Sequence, residues 1–137
     1  MATDIERFAR GMVRKGTVCS TNPADMTVRV RYDEKDGTES PELSVLCQGA
    51  GGNKHYWLPD VGDQVLCIFE ANDKNFSSGW VLGTFFTKGH PPQVSSQEIR
   101  RLDFGDGSFV EFDRASGNLT IECTGNITIK GANIYLN

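Results

Sequence analysis

The stretch GNLTIECTGNITIKGANIYLN, residues 117–137, repeats one short pattern: Asn118-Leu119-Thr120-Ile121, then Asn126-Ile127-Thr128-Ile129, then Asn133-Ile134-Tyr135-Leu136. Each repeat carries two large aliphatic side chains in alternation, so each reads as a short strand with one apolar face: Leu119 with Ile121, Ile127 with Ile129, Ile134 with Leu136. Strands this short cannot offset the entropy of ordering them, and repeats become stable only when neighbours bury their continuous face. An antiparallel meander folded back onto the rest of the chain would be one cover. Other copies of the same chain are the simpler supply, because most soluble oligomers are symmetric homo-oligomers. A β-prism wound from several chains would set these six side chains on its axis and the Thr, Glu and Lys side chains outside.

Upstream of the repeats, period two also dominates. A short helix is expected over Asp4 to Met12, with Ile5, Phe8 and Met12 at helical spacing, Thr3 or Asp4 as its cap and Gly11 keeping it short. Strands are then expected over residues 13–19, over 26–32 (where Met26, Val28, Val30 and Tyr32 alternate with Thr27, Arg29 and Arg31), and over 43–47, 64–70 and 80–86. Five strands with polar or glycine-rich connections suggest a small closed barrel of the oligonucleotide/oligosaccharide-binding (OB) type, since closure removes exposed edges. Lys88-Gly89-His90-Pro91-Pro92-Gln93 is a stiff link. Beyond it, Leu102 and Phe104 run into the turn Gly105-Asp106-Gly107, and Val110 and Phe112 run out of it, which reads as a hairpin. The fold expected is therefore all-β: a helical arm over 1–12, a barrel over 13–88, a linker over 89–98 and a strand-and-turn tail over 99–137.

Composition narrows the function. Lys and Arg total 14 against 18 Asp and Glu, a formal charge of −4. Nonspecific nucleic-acid affinity comes from basic residues displacing counterions, so this balance argues against such a partner. The N-terminal residues lack the apolar core of a signal peptide, and no apolar run approaches bilayer length, so folding in the cytosol is expected. Cys19, Cys47, Cys67 and Cys123 are scattered without a CxxC. The first three fall inside apolar strand patterns and are expected to be buried thiols, with no metal among them.

No constellation points to catalysis. Asp103, Asp106, Glu111 and Asp113 surround a hairpin, where carboxylates form turns and solvated pairs more readily than a glycosidase dyad. Residues 49–54 have the glycines of a phosphate loop without its Gly-Lys-Ser/Thr ending. His55, beside Tyr56 and Trp57, has no nearby nucleophile and reads as part of a packing cluster. The competing reading is a monomeric barrel that binds nucleic acid or oligosaccharide, with Tyr32, Tyr56 and Trp57 stacking and Arg29 and Arg31 on one strand face.

Gly16-Thr17-Val18-Cys19-Ser20, the alternating residues 26–32, Trp57-Leu58-Pro59-Asp60-Val61-Gly62-Asp63-Gln64-Val65 and Gly79-Trp80-Val81-Leu82-Gly83-Thr84 occur in an order and spacing that resembles the phage baseplate assembly protein V family, the central spike of contractile tails. The corresponding part of the valine-glycine repeat spike of type VI secretion is similar too. The resemblance implies a homotrimer: three OB barrels side by side, continuing into an intertwined triple-stranded β-helix. Its family-motif barrel residues are Trp57, Leu58, Pro59, Val61, Gly62 and Gly83. Leu102, Phe104, Val110, Phe112, Leu119, Ile121, Ile127, Ile129, Ile134 and Leu136 would line the trimer axis. It implies a baseplate hub protein at the barrel end and transient contact with a target cell envelope; exposure and proximity point to the N-terminal helix and the loop over 33–42 as what meets the hub. Longer family members end in an apex of His-x-His pairs around iron. His55 and His90 lie outside the repeats, so no metal or other cofactor is expected here. A separate tip protein is expected on Tyr135, Leu136 and Asn137, which would otherwise leave an apolar end open. The role implied is mechanical, in a phage, a phage-tail-like bacteriocin or a related injection particle assembled in the bacterial cytoplasm.

Overall fold

A computed structural model of the chain describes residues 3–33, 37–70 and 78–137, apart from the side chains of residues 7, 8 and 10. Residues 34–36 of the expected hub loop and the Phe8 side chain thus lie outside the described residues. The chain divides into two compact units, Met1–Pro91 and Pro92–Asn137.

The first unit opens with α1 (Asp4–Met12), whose cap is Thr3: its Oγ1 accepts a hydrogen bond from the Glu6 N–H at 3.1 Å. Asp4 and Glu6 place negative charge in the first turn, where the helix dipole favours it. The helix runs through Gly11 and ends where Val13 turns extended. Ile5 is exposed, whereas Met12 packs on the barrel core, so the expected Ile5 and Met12 stripe is not buried as a whole.

Five strands follow, β1 (Val13–Asn22), β2 (Thr27–Tyr32), β3 (Leu43–Val45), β4 (Gln64–Phe69) and β5 (Gly79–Thr84). They close into a barrel in the order β1-β2-β3-β5-β4, with β3 and β5 parallel and the other pairs antiparallel. The alternation expected for β2 is realised: Val28, Val30 and Tyr32 point into the core and Arg29 and Arg31 outward. Val18, Leu43, Val65, Cys67, Phe69 and Val81 complete that core. Gly16 pairs with Tyr32 on one side and Val65 on the other, at a point where a Cβ would strike the Val30 side chain and the Arg31 carbonyl.

Three expectations are corrected. Met26 does not begin β2; it closes the turn after Asn22 with φ 55°, a left-handed conformation that methionine gives no sign of in sequence. Cys19 sits where the β1–β2 register shifts between Val18 and Ser20, and this bulge turns it partly out of the core. Cys47 lies past the end of β3 and is exposed, which leaves Cys67 as the buried thiol of the three. The loop expected to meet a hub is also partly committed to the barrel. Ser40 is buried, accepts from the Val30 N–H at 2.9 Å and returns its own N–H to the Val30 carbonyl at 2.7 Å.

The second unit is a meander of β6 (Ile99–Asp103), β7 (Phe109–Asp113) and β8 (Asn118–Glu122), in that order in the sheet. Gly105 and Gly107 take positive φ in the first turn and Gly117 in the second. Only the first of the three tail repeats is a strand, as β8. Residues 123–137 form no strand pairing among the described residues and are exposed throughout. The physical reason is that, among the described residues, repeats two and three have no neighbouring strand to pair with.

Candidate assembly surface

The register of the second unit sorts its side chains into two faces. Leu102 pairs with Val110 and Val110 with Ile121; in the next row Arg100 pairs with Phe112 and Phe112 with Leu119. Because successive residues alternate across a sheet, these rows share one face. Phe104 continues the β6 alternation just past the strand. Over these two rows the face is apolar except for Arg100, and little covers it: Leu119 is 62% exposed, Leu102 54% and Ile121 49%. The apolar residues of the unpaired repeats are as open, with Ile127 at 54% and Ile129 at 68%. Tyr135 and Leu136 are more open still.

The opposite face is polar and knitted. Arg101 holds Asp103 at 2.9 Å and Glu111 at 3.0 Å, and its guanidinium lies 3.7 Å from the centre of the Phe109 ring. The acidic residues of the hairpin therefore each have a structural partner. Asp113 accepts from the Ala115 N–H at 2.9 Å to form the second turn. Asp106 accepts from the Ser108 N–H at 2.8 Å and the Thr124 hydroxyl at 3.0 Å, and Ser108 Oγ accepts from the Thr124 N–H at 3.1 Å. These bonds to Ser108 and Thr124 hold the Asp106 carboxyl below the ordinary aspartate range. The clasp ties the start of the tail to the β6–β7 hairpin. Sequence reading named Asp106 but missed Thr124, whose part appears only once β8 brings it back beside the first turn.

On the barrel, Trp57-Leu58-Pro59-Asp60-Val61-Gly62-Asp63 is a tight connection into β4. Gly62, at φ 99°, donates to the Val18 carbonyl at 2.9 Å, and the Asp63 carboxylate accepts from the Asp60 N–H at 3.0 Å. Pro59 is buried and Leu58 packs on the core, whereas Val61 is exposed. Trp57, Leu46, Leu82, His55 and Gly83 line an open groove of about 370 Å³. Leu82 reaches it through a bulge, as the extra residue where β4 and β5 shift register between Leu66 and Cys67.

These placements bear on the competing readings. Tyr32 is buried, edge-on to Phe69 with ring centroids 6.0 Å apart and covered by the Arg14 guanidinium, so it offers no stacking surface to a base. Arg31 is paired with Glu39 at 3.3 Å. Lys54 folds back onto the Gly51 carbonyl at 2.7 Å, away from any phosphate-loop geometry. His55 and His90 both belong to the first unit, and among the described residues no group of His, Cys, Asp and Glu could hold a metal ion.

A closed five-stranded barrel with this connection matches the type VI secretion system/phage-baseplate injector OB domain over residues 14–86. The chain belongs to that baseplate family. The match takes in all five barrel strands. The spike protein of Escherichia phage P2 is 25% identical over 131 residues, covering 94% of this chain and 60% of the phage protein. The similarity thus extends past the barrel into the sheet and its repeats, while the chain spans about three fifths of that relative's length.

Proposed function

We propose that the chain is the central spike of a contractile-tail baseplate, a structural and non-enzymatic component of a phage or related injection particle. Three copies assemble about one axis, with the apolar face of each β6-β7-β8 sheet turned inward. Leu102, Phe104, Val110, Phe112, Leu119 and Ile121 form the upper part of that axis. Ile127, Ile129, Ile134 and Leu136 continue it, each short repeat pairing with strands of the sister chains to form a triple-stranded β-helix. The observation that carries this reading is an apolar sheet face left uncovered and prolonged by repeats with no strand partner among the described residues. Family membership and the similarity to a phage spike protein support it. The polar face, with its Arg101, Asp103 and Glu111 network, becomes the solvated outside.

Such a prism is stiff because its hydrogen bonds run between chains around a dry aliphatic centre, and stiffness is what a body driven through a cell envelope by sheath contraction requires. The barrels meet the hub of the baseplate. Tyr135, Leu136 and Asn137 meet whatever continues the spike towards its point. The test is native mass by light scattering during gel filtration, for the full chain and for a truncation after Gln97. A trimer that reverts to a monomeric, folded barrel without the tail is expected. A monomeric full-length chain would reject the spike.

A further inference from the structure

Arg100 is the residue that the apolar face does not explain. The register sets it opposite Phe112, itself opposite Leu119, so one guanidinium stands in a row that is otherwise aromatic and aliphatic. Its Nη1 donates to the carbonyl oxygens of Gln97 at 2.6 Å and Ile99 at 3.4 Å. Among the described residues it has no carboxylate partner. Alternation places Glu98 and Arg114 one row above on the same face, and Glu98 is already held by Arg114 at 3.3 Å. This end of the face therefore carries two guanidiniums and one carboxylate per chain.

The next step rests on the trimeric reading above. Threefold symmetry brings three copies of Arg100 to one level around the axis, above an apolar row that water does not screen. Like charges gathered in such surroundings repel unless an opposite charge lies among them. We propose that the three Arg100 side chains bind one tetrahedral inorganic oxyanion, of the phosphate or sulfate class, on the threefold axis. The guanidinium is a planar fork that matches paired oxygens of an oxyanion, which neither lysine nor a halide reproduces. A tetrahedral oxyanion also has a threefold axis of its own, so three equivalent oxygens face three equivalent arginines. The bonds from Nη1 to Gln97 and Ile99 fix each fork in advance, leaving Nε and Nη2 to donate to the ion.

The test uses the full-length protein, with its mass measured in the same preparation, in phosphate-free buffer at an ionic strength fixed with sodium chloride. Equilibrium dialysis with labelled inorganic phosphate is expected to give one ion per three chains. Phosphate at about 10 mM is expected to raise the thermal midpoint by about 3–6 °C. Arg100→Gln should abolish both effects, and Arg100→Lys, which keeps the charge but not the fork, should weaken binding at least tenfold. If Arg100→Gln does not assemble, the wild-type stoichiometry and the Arg100→Lys affinity decide. A trimer that binds no phosphate, or wild type and variant that shift alike, would overturn the anion site and leave the spike standing. A monomer would overturn both.

Discussion

Gly16 shows how one residue can fix a barrel. It lies between β2 and β4, and any side chain there meets a backbone carbonyl that the ladder holds in place. Gly16→Ala should therefore destabilise the first unit by about 1–3 kcal/mol, seen as a lower urea midpoint with an unchanged slope. Cys67 gives a second prediction at this scale. Burial pushes its thiol up to about 11, so at neutral pH almost none of it is thiolate, the form that reacts. A thiol reagent should label exposed Cys47 in the native protein and reach Cys67 only on unfolding; rapid native labelling of Cys67 would contradict the core described above. Single residues were also where the sequence was least legible. The inward positions Val28 and Val30 follow from alternation alone, but alternation cannot announce a bulge. Cys19 was therefore expected on the wrong side of β1, whereas Tyr32, a stacking surface only in the competing binding-barrel reading, lies in the core where the β2 alternation sets it.

At the scale of the element, strands and turns could be read because their signals are local: period two for the five barrel strands, and glycine at the left-handed positions 105, 107 and 117. The clasp between Asp106, Ser108 and Thr124 could not, because it joins residues far apart in sequence. It predicts a pH dependence with a definite sign. The Asp106 pKa is lowered in the fold by the bonds it accepts from Ser108 and Thr124, so its contribution is fully present above the ordinary aspartate value of 3.8 and is lost as pH falls through the folded value below it. Asp106→Asn should accordingly lower the thermal midpoint of the tail sheet at pH 7. The difference from wild type should shrink as the solution is acidified below the ordinary aspartate value. A gap that stays constant down to strongly acidic pH would show that the charge on Asp106 contributes nothing.

At the scale of the whole molecule, the proposed trimer makes claims that a single chain cannot. Sequence alternation identified the apolar side chains of the tail, and the single-chain fold accounts for β8, but the second and third repeats have strand patterns and, among the described residues, no strand partner. In the proposed trimer their pairing belongs to the assembly, which no contact within a chain can reveal. Ile127 is the sharpest place to test this, because it lies in the second repeat and more than half of its surface is open in the single chain. If the tail stays uncovered, Ile127→Asp adds one solvated charge and changes stability by about 0.5 kcal/mol or less. If three chains meet at that level, it buries three unpaired carboxylates about a common axis, each at a cost of several kcal/mol. The expected outcome is a protein that no longer forms trimers by light scattering yet keeps the folded barrel by circular dichroism and urea unfolding. Ile127→Val, which trims one methyl group without adding charge, should still assemble. The aspartate variant's loss could then be assigned to charge on the axis, because a general sensitivity of the repeat would impair both variants.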